Sequence, residues 1–183
     1  MPRFNRFRTG AIAAAVAILA ISGCQPGDRT TSPRPRPPGP TVRPPTAAVS
    51  AAAYMAAAAS IDLFEIQSSQ LALARSSVAR HRDFATMMIR AHNGTSAQLS
   101  LAGRRLNLLP PATLQPRHQA MIAELAASSD FDAVYHRQQI AVHEAALRLH
   151  GDFAARGASP TLRPVARNAV PIVRRHLEMM RAM

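Results

Sequence analysis

The chain is poor in several residue types on which common functional classes depend. It has no lysine, no tryptophan and a single cysteine, and aromatic residues make up only 4% of its 183 residues. A single cysteine excludes an intrachain disulfide. No basic run is interleaved with aromatic side chains, which argues against nucleic-acid binding. The eight glycines are scattered singly, so the chain has no glycine-rich phosphate loop.

A nucleophilic active site also lacks support in the sequence. No serine lies in the sharp glycine-flanked turn that exposes a catalytic hydroxyl, and no nucleophile–base pair can be named. The lone thiol, Cys24, is better explained by its position at the end of the N-terminal apolar segment. The sequence therefore leaves an enzymatic activity open but does not favour one.

The first 23 residues have the pattern of an export signal. Residues 1–10 carry three arginines and no acid, and an apolar run of 12 residues, 11–22, follows. This run is shorter than the roughly 20 residues needed to cross a bilayer, so a transmembrane anchor is the weaker alternative. We expect residues 1–23 to be a signal peptide.

The signal ends in Ile21-Ser22-Gly23-Cys24, which resembles the lipobox of bacterial lipoproteins. The resemblance implies diacylglycerol on the Cys24 sulfur and cleavage just before that residue. Several acyl chains anchor a protein stably, whereas one does so only marginally. Gln25, rather than Asp, implies an outer-membrane lipoprotein with its domain in the periplasm. The alternative is anchoring in the inner membrane.

A proline-rich segment follows the lipid anchor. Residues 25–47 contain eight prolines and four arginines, with almost nothing apolar to bury. This composition predicts a disordered or polyproline II tether. The chain thus divides into a signal peptide, an anchor with its linker over residues 24–47, and a domain over residues 48–183.

The composition of that domain predicts helices. Its apolar residues are mostly Ala and Leu, and β-branched residues are sparse. The 3–4 spacing of apolar positions predicts five helices, over about 48–76, 78–107, 115–127, 130–156 and 160–182. Four are long and one is short. We therefore expect an all-α, antiparallel four-helix bundle with an additional short helix.

Capping residues refine the helix ends. Ser76 or Ser77 is the expected N-cap of the second helix, and Ser128 or Ser129 that of the fourth. Gly157 should close the fourth helix. The last helix should have Pro160 in its first turn and a kink at Pro171.

Four ionisable residues interrupt the apolar faces of the long helices. Glu65, His92, His143 and His176 each lie near the middle of a different helix. Antiparallel packing would bring them to one level. Because a buried carboxylate without a partner costs several kcal/mol, we expect compensation. One carboxylate and three imidazoles would suit one transition-metal ion: Zn, Fe, Mn or Cu.

Two alternatives to a metal site remain open. Glu65 could be neutralised by a proton or by one protonated histidine, and buried histidines often only form hydrogen bonds in a core. His136, His143 and His150 also form a heptad-spaced row, which could be partly exposed.

Methionine offers another set of ligands. Met88 with His92, and His176 with Met180, are i,i+4 pairs that would suit copper. Methionine on a helix face is more often core filler.

The domain resembles a bacterial family of exported, ferritin-like helical proteins that is catalogued as a domain of unknown function. Its members are often labelled putative outer-membrane proteins. The resemblance is carried by four stretches, Ser60–Ala74, Phe84–His92, Phe131–Leu147 and Val170–Leu177. It implies a four-helix bundle and no established activity.

Ferritin-like di-iron proteins carry Glu-x-x-His motifs, which this chain lacks. Ile89 lies three residues before His92, and Val173 three before His176. Ala91 also stands where family members often carry Asp. A di-iron oxidase is therefore disfavoured, whereas a mononuclear histidine site stays open.

Charge suggests a second function. The net charge is +12, and residues 48–183 contain 15 arginines against nine acids. We expect an envelope lipoprotein whose bundle binds a metal ion. The alternative is a non-enzymatic interaction module whose arginine-rich surface docks on anionic lipid, lipopolysaccharide or another protein.

Overall fold

The computed structural model describes residues 48–183, and these residues form five α-helices without any strand. The helices are α1 (Ala51–Arg75), α2 (Ala79–Arg104), α3 (Pro116–Ala127), α4 (Phe131–Arg156) and α5 (Arg163–Arg181). Every predicted helix is present, with ends within three residues of the predicted ones. The signal peptide, the lipobox with Cys24 and the linker lie outside the described residues.

The four long helices form a bundle in which every neighbouring pair is antiparallel. Helix α1 packs on α2 and α4, and α5 packs on the same two helices from the opposite corner. Three residues join α1 to α2, and a short turn joins α4 to α5. The connection from α2 to α4 instead runs the length of the bundle and contains α3, which lies across α1 and α4. One long crossover is the connectivity of ferritin-like bundles.

Two of the predicted caps were wrong. Helix α2 begins after Val78 without a side-chain cap. The hydroxyls of Ser76 and Ser77 instead donate to the Asp132 carboxylate, which joins the α1–α2 turn to the start of α4. Asp130, rather than a serine, caps α4, accepting from the Ala133 amide at 3.4 Å. Tertiary contacts thus took the hydroxyls of Ser76 and Ser77, whereas the Ser128 hydroxyl accepts locally from the Asp130 amide at 3.1 Å.

The end of α4 follows the prediction, whereas the start of α5 does not. Gly157 is the C-cap of α4. Pro164, not Pro160, occupies the first turn of α5, because residues 159–162 form a separate turn in which the Leu162 amide donates to the Ser159 carbonyl at 3.2 Å. Pro171 lies inside α5, and the kink expected there stays a prediction.

The core has an apolar cluster at each end and a third beside its middle. At one end the Tyr54 and Phe153 rings stack with centroids 3.9 Å apart. At the other end Phe84, Tyr135 and Leu125 are buried together. The polar side chains described below lie between these ends, where all four long helices contribute. No helix among residues 48–183 combines the length and hydropathy required to cross a membrane.

The crossover is held by side-chain contacts with α1. The Arg75 guanidinium donates to the carbonyl oxygens of Leu125 and Ser128, at 3.2 and 2.9 Å, and lies 4.9 Å from the centroid of the Phe131 ring. These bonds satisfy carbonyl groups at the end of α3 that have no partner within that helix. They fix the point at which the chain enters α4.

Candidate metal centre

Each long helix places one ionisable side chain in the middle of the bundle. Glu65 comes from α1, His92 from α2, His143 from α4 and His176 from α5. Their exposed fractions are 1%, 3%, 1% and 4% respectively. Because neighbouring helices are antiparallel, mid-helix positions from all four meet at one level, as the sequence predicted.

The three histidines form a close group. One potential ligand atom of each of His92, His143 and His176 lies within 4.8 Å of the other two. The ring centroids are 5.6 Å apart for His143 and His176, 5.9 Å for His92 and His176, and 6.2 Å for His92 and His143. Metal–nitrogen bonds of ~2.0–2.1 Å place bound imidazole nitrogens roughly 3–4 Å apart. Small side-chain rotations would therefore let the group close on one ion.

Hydrogen bonds at Nδ1 orient two of these rings and leave the other ring nitrogen, Nε2, without a partner. His143 Nδ1 donates to the Gln139 carbonyl oxygen at 2.8 Å, and His92 Nδ1 lies 2.7 Å from Asp62 Oδ1. With Nδ1 protonated, Nε2 carries a free lone pair. Both Nε2 atoms are buried and have no hydrogen-bond partner. The same is true of Nδ1 of His176. Unpartnered buried nitrogens are rare in folded proteins and require an explanation.

Glu65 adjoins the group without belonging to it. Its Oε1 lies 3.4 Å from His143 Nδ1, which makes a shorter bond to a backbone carbonyl. Neither carboxylate oxygen has a hydrogen-bond partner. Burial raises the pKa of Glu65 to about 7, and the charge of His92 offsets part of that rise. The structure thus brings together three of the four predicted ligands and places the fourth beside one of them.

Burial favours the neutral form of two of the three rings, whereas the carboxylates beside His92 favour its protonated form. Burial lowers the pKa of His143 to about 3 and that of His176 to about 4, so both rings are neutral near pH 7. Burial also disfavours the charged form of His92, but the hydrogen bond with Asp62 and the charge of Glu65 outweigh it and raise its pKa. Neutral imidazole is the form that binds a metal ion.

Asp62 is a buried carboxylate beside the histidine group that the sequence did not single out. It is 6% exposed, and its carboxylate also accepts from the hydroxyls of Thr95 at 2.7 Å and Ser96 at 3.0 Å. Such a carboxylate fixes the tautomer and orientation of a ligand histidine. Asp62 lies three residues before Glu65, on the same face of α1. That spacing was the signal that could have found it.

The remaining histidines of the heptad row lie outside the group. His150 is buried, and its Nδ1 lies 3.0 Å from the Tyr54 hydroxyl. His136 is partly buried, and its Nε2 donates to the Met180 carbonyl oxygen at 2.9 Å. Two members of the row, His143 and His150, are thus buried, and His136 is partly exposed. Met88 and Met180 are fully buried in the apolar cluster around Phe84, where they serve as core residues.

The connectivity and the polar centre are those of a helical-bundle protein. In such proteins, binding sites are formed by side chains of facing helices in the core of the bundle. The chain belongs to DUF4142, a domain of unknown function whose family model matches residues 36–183. The resemblance to a helical family of unknown function is thereby confirmed. No curated protein sequence matches the chain significantly.

Solved structures share the fold. CopM in its Cu(II)-bound form has a TM-score of 0.64 at 15% identity, covering 74% of this chain and 96% of CopM. CopM in its Cu(I)-bound form has a TM-score of 0.61 at 14% identity, covering 72% and 93%. A DUF305 fragment from Deinococcus radiodurans has a TM-score of 0.62 at 17% identity, covering 72% and 93%. At such identities these likenesses establish the fold alone.

Proposed function

We propose that the bundle binds one transition-metal ion through His92, His143 and His176. The observation that carries the proposal is the group of three buried imidazoles, contributed by three helices, with ligand atoms within 4.8 Å of one another. An ion between them would give partners to nitrogens that have none. A buried imidazole nitrogen needs a hydrogen-bond partner or a cation, and a metal ion between the rings would serve all three nitrogens.

Two carboxylates support the same role. Asp62 holds the His92 ring so that Nε2 faces the interior. Glu65, next to His143, is close enough to balance part of the charge of a cation. Three imidazoles and a nearby carboxylate suit copper, zinc, iron or manganese. Copper is the ion to test first, because the CopM structures of the same fold are described as Cu(I)- and Cu(II)-bound.

The proposal is tested by titrating metal into purified protein that carries Cys24→Ser, which removes the only thiol. We expect one tightly bound divalent ion, Cu(II) or Zn(II), per chain and a rise in melting temperature. At a free concentration 100 times Kd, the stabilisation is about 2.7 kcal/mol. His176→Gln should abolish stoichiometric binding, whereas His136→Gln, a histidine outside the group, should leave it intact. The proposal fails if Cu, Zn, Fe and Mn leave both metal content and melting temperature unchanged.

The cellular setting is a separate proposal. We infer that Cys24 is lipidated and anchors the bundle to the envelope, at the periplasmic face of the outer membrane. The support is the lipobox-like Ile21-Ser22-Gly23-Cys24 after a basic and then apolar segment. A lipid label fed to cells should be incorporated into the protein and vanish in Cys24→Ala. Retention of the label in that variant would reject the anchor.

One surface favours a second function, docking on an anionic partner. Helix α5 exposes Arg167, Arg174, Arg175 and Arg181, with Glu178 as its single acid. Binding of metal-free protein to anionic vesicles should weaken steeply with salt, because exposed charges are screened over about 10 Å at 0.1 M. Binding that ignores salt, or no binding at low salt, would reject this function.

A further inference from the structure

A methionine-lined pocket opens where the start of α2 meets the end of α5. Its volume is about 310 Å³, and it is lined by Arg80, Asp83, Phe84, Met87, Met179 and Met183. Three of these six side chains are thioethers. We define these residues as the methionine pocket.

The pocket methionines differ from the methionines that fill the core. Met88 and Met180, on the same two helices, are fully buried. Met87, Met179 and Met183 are only partly buried and pack on the edge of the same apolar cluster. Their side chains therefore face a space that the fold has left open, although long flexible thioethers are well suited to fill such gaps.

Contacts hold the pocket in shape and balance its charge. The Arg80 guanidinium donates to the Met183 carbonyl oxygen at 3.3 Å, which holds the end of α5 against the start of α2. Asp83 also contributes a carboxylate to the wall, of charge opposite to that of Arg80. Most of the potential donor atoms in the lining are soft thioether sulfurs.

One aromatic ring separates this pocket from the histidine group. The Phe84 ring lines the pocket, and its centroid lies 6.2 Å from that of His143 and 6.3 Å from that of His176. The ring is 2% exposed, so it forms an apolar wall between the two sets of donors. The two sets therefore belong to different sites.

We propose that the methionine pocket is a second metal site, selective for a soft monovalent cation such as Cu(I) or Ag(I). Thioether ligands select Cu(I) over harder divalent ions. The inference goes beyond the proposed function and does not depend on it, because none of the pocket residues belongs to the histidine group.

Silver(I) is the probe, because it is soft, monovalent and stable in air. The protein carries Cys24→Ser and ¹³C-labelled methionine methyl groups, assigned by single Met→Leu variants. We expect one equivalent of Ag(I) to shift the methyl signals of Met87, Met179 and Met183. Met121, which is also partly buried but lies on α3, is the matched control and should not shift. The double variant Met87→Leu/Met179→Leu should bind Ag(I) at least tenfold more weakly at this site.

The same spectra can overturn the proposal. Unchanged pocket methyl signals, or equal shifts at Met121, would refute a site here. Zn(II) should leave the pocket signals unchanged, and equal shifts with Zn(II) would refute the selectivity. In His176→Gln the Ag(I) shifts should persist; their loss would show that silver reaches only the histidine group. Failure of the histidine centre to bind metal would leave these shifts in place, so the two proposals fail separately.

Discussion

Replacing Asp62 by Asn tests whether the buried carboxylate positions a metal ligand. Asn has nearly the same shape but no charge, and it offers one acceptor oxygen where Asp62 now accepts from His92, Thr95 and Ser96. Hydrogen bonds to a charged group contribute ~1.5–3 kcal/mol, so a loss of stability of that order is expected. Removing such a positioning carboxylate typically lowers metal affinity 10–100-fold.

Stability and positioning can be separated, because the fold contains a matched carboxylate. Asp132 also pairs with a histidine, at 3.0 Å from His81 Nδ1, and accepts from the hydroxyl of Ser77 at 2.8 Å. It lies at the end of the bundle, away from the histidine group. Asp132→Asn should lower the melting temperature by a similar amount and leave metal affinity unchanged.

The assay is competition against a chelator of known affinity, with the folded fraction of each variant measured in the same buffer. A drop of at least tenfold in Asp62→Asn, together with less than twofold in Asp132→Asn, is the expected result. Equal metal affinities in the two variants would refute the positioning role of Asp62. The fall of one or two decades corresponds to ~1.4–2.8 kcal/mol of binding free energy.

Further predictions concern packing and pH. Gly103→Ala should destabilise the fold by ~1–3 kcal/mol in a denaturant melt, since the new Cβ would lie 2.3 Å from a loop carbonyl oxygen. Gly94→Ala, with nothing within 4 Å of its Cβ, should instead stabilise it by ~0.5–1 kcal/mol. Burial lowers the pKa of His143 to about 3 and those of His150 and His176 to about 4, so the unfolded chain takes up three protons below pH ~6.5 that the folded protein does not bind. Glu65, whose pKa burial raises to about 7, opposes this with one proton between about pH 4.5 and 7, and the lowered pKa of His118 adds to the loss. The metal-free protein should therefore lose at least roughly 2.7 kcal/mol per pH unit between about pH 6 and 4.5, and a flat acid melt would contradict these shifts.

The helices were predictable because their signals are local. Spacing of apolar residues and a glycine at the end of α4 depend only on near neighbours, and Gly157 is where α4 ends. The missing side-chain cap of α2 was not predictable, whereas the Asp130 cap of α4 is a local contact that the choice of Ser128 or Ser129 overlooked. Ser76 and Ser77 give their hydroxyls to Asp132, more than 50 residues away, and no local pattern carries that contact.

The three histidines of the candidate site were predictable, but the site's geometry and its two carboxylates' positions were not. Four ionisable residues at mid-helix positions of apolar faces led directly to Glu65 and the three histidines. Hydrogen bonds set the orientation of each ring and thereby decide which nitrogens face inward. They also decide that Glu65 contacts His143 instead of joining the group. The contact of Asp62 with His92 was not predictable, because it joins two different helices.

The sequence alone determined an all-α bundle, its five helices and a polar level inside it. It did so because helix periodicity and the cost of burying charge act through residue type and spacing. It also carries the whole case for the anchor at Cys24, which lies outside the described residues. The scarcity of cysteine and aromatic residues excluded a disulfide and disfavoured nucleic-acid binding through composition alone. Only the tertiary structure decided that three imidazoles meet within 4.8 Å and that methionines surround an open pocket, because both depend on how separate helices pack.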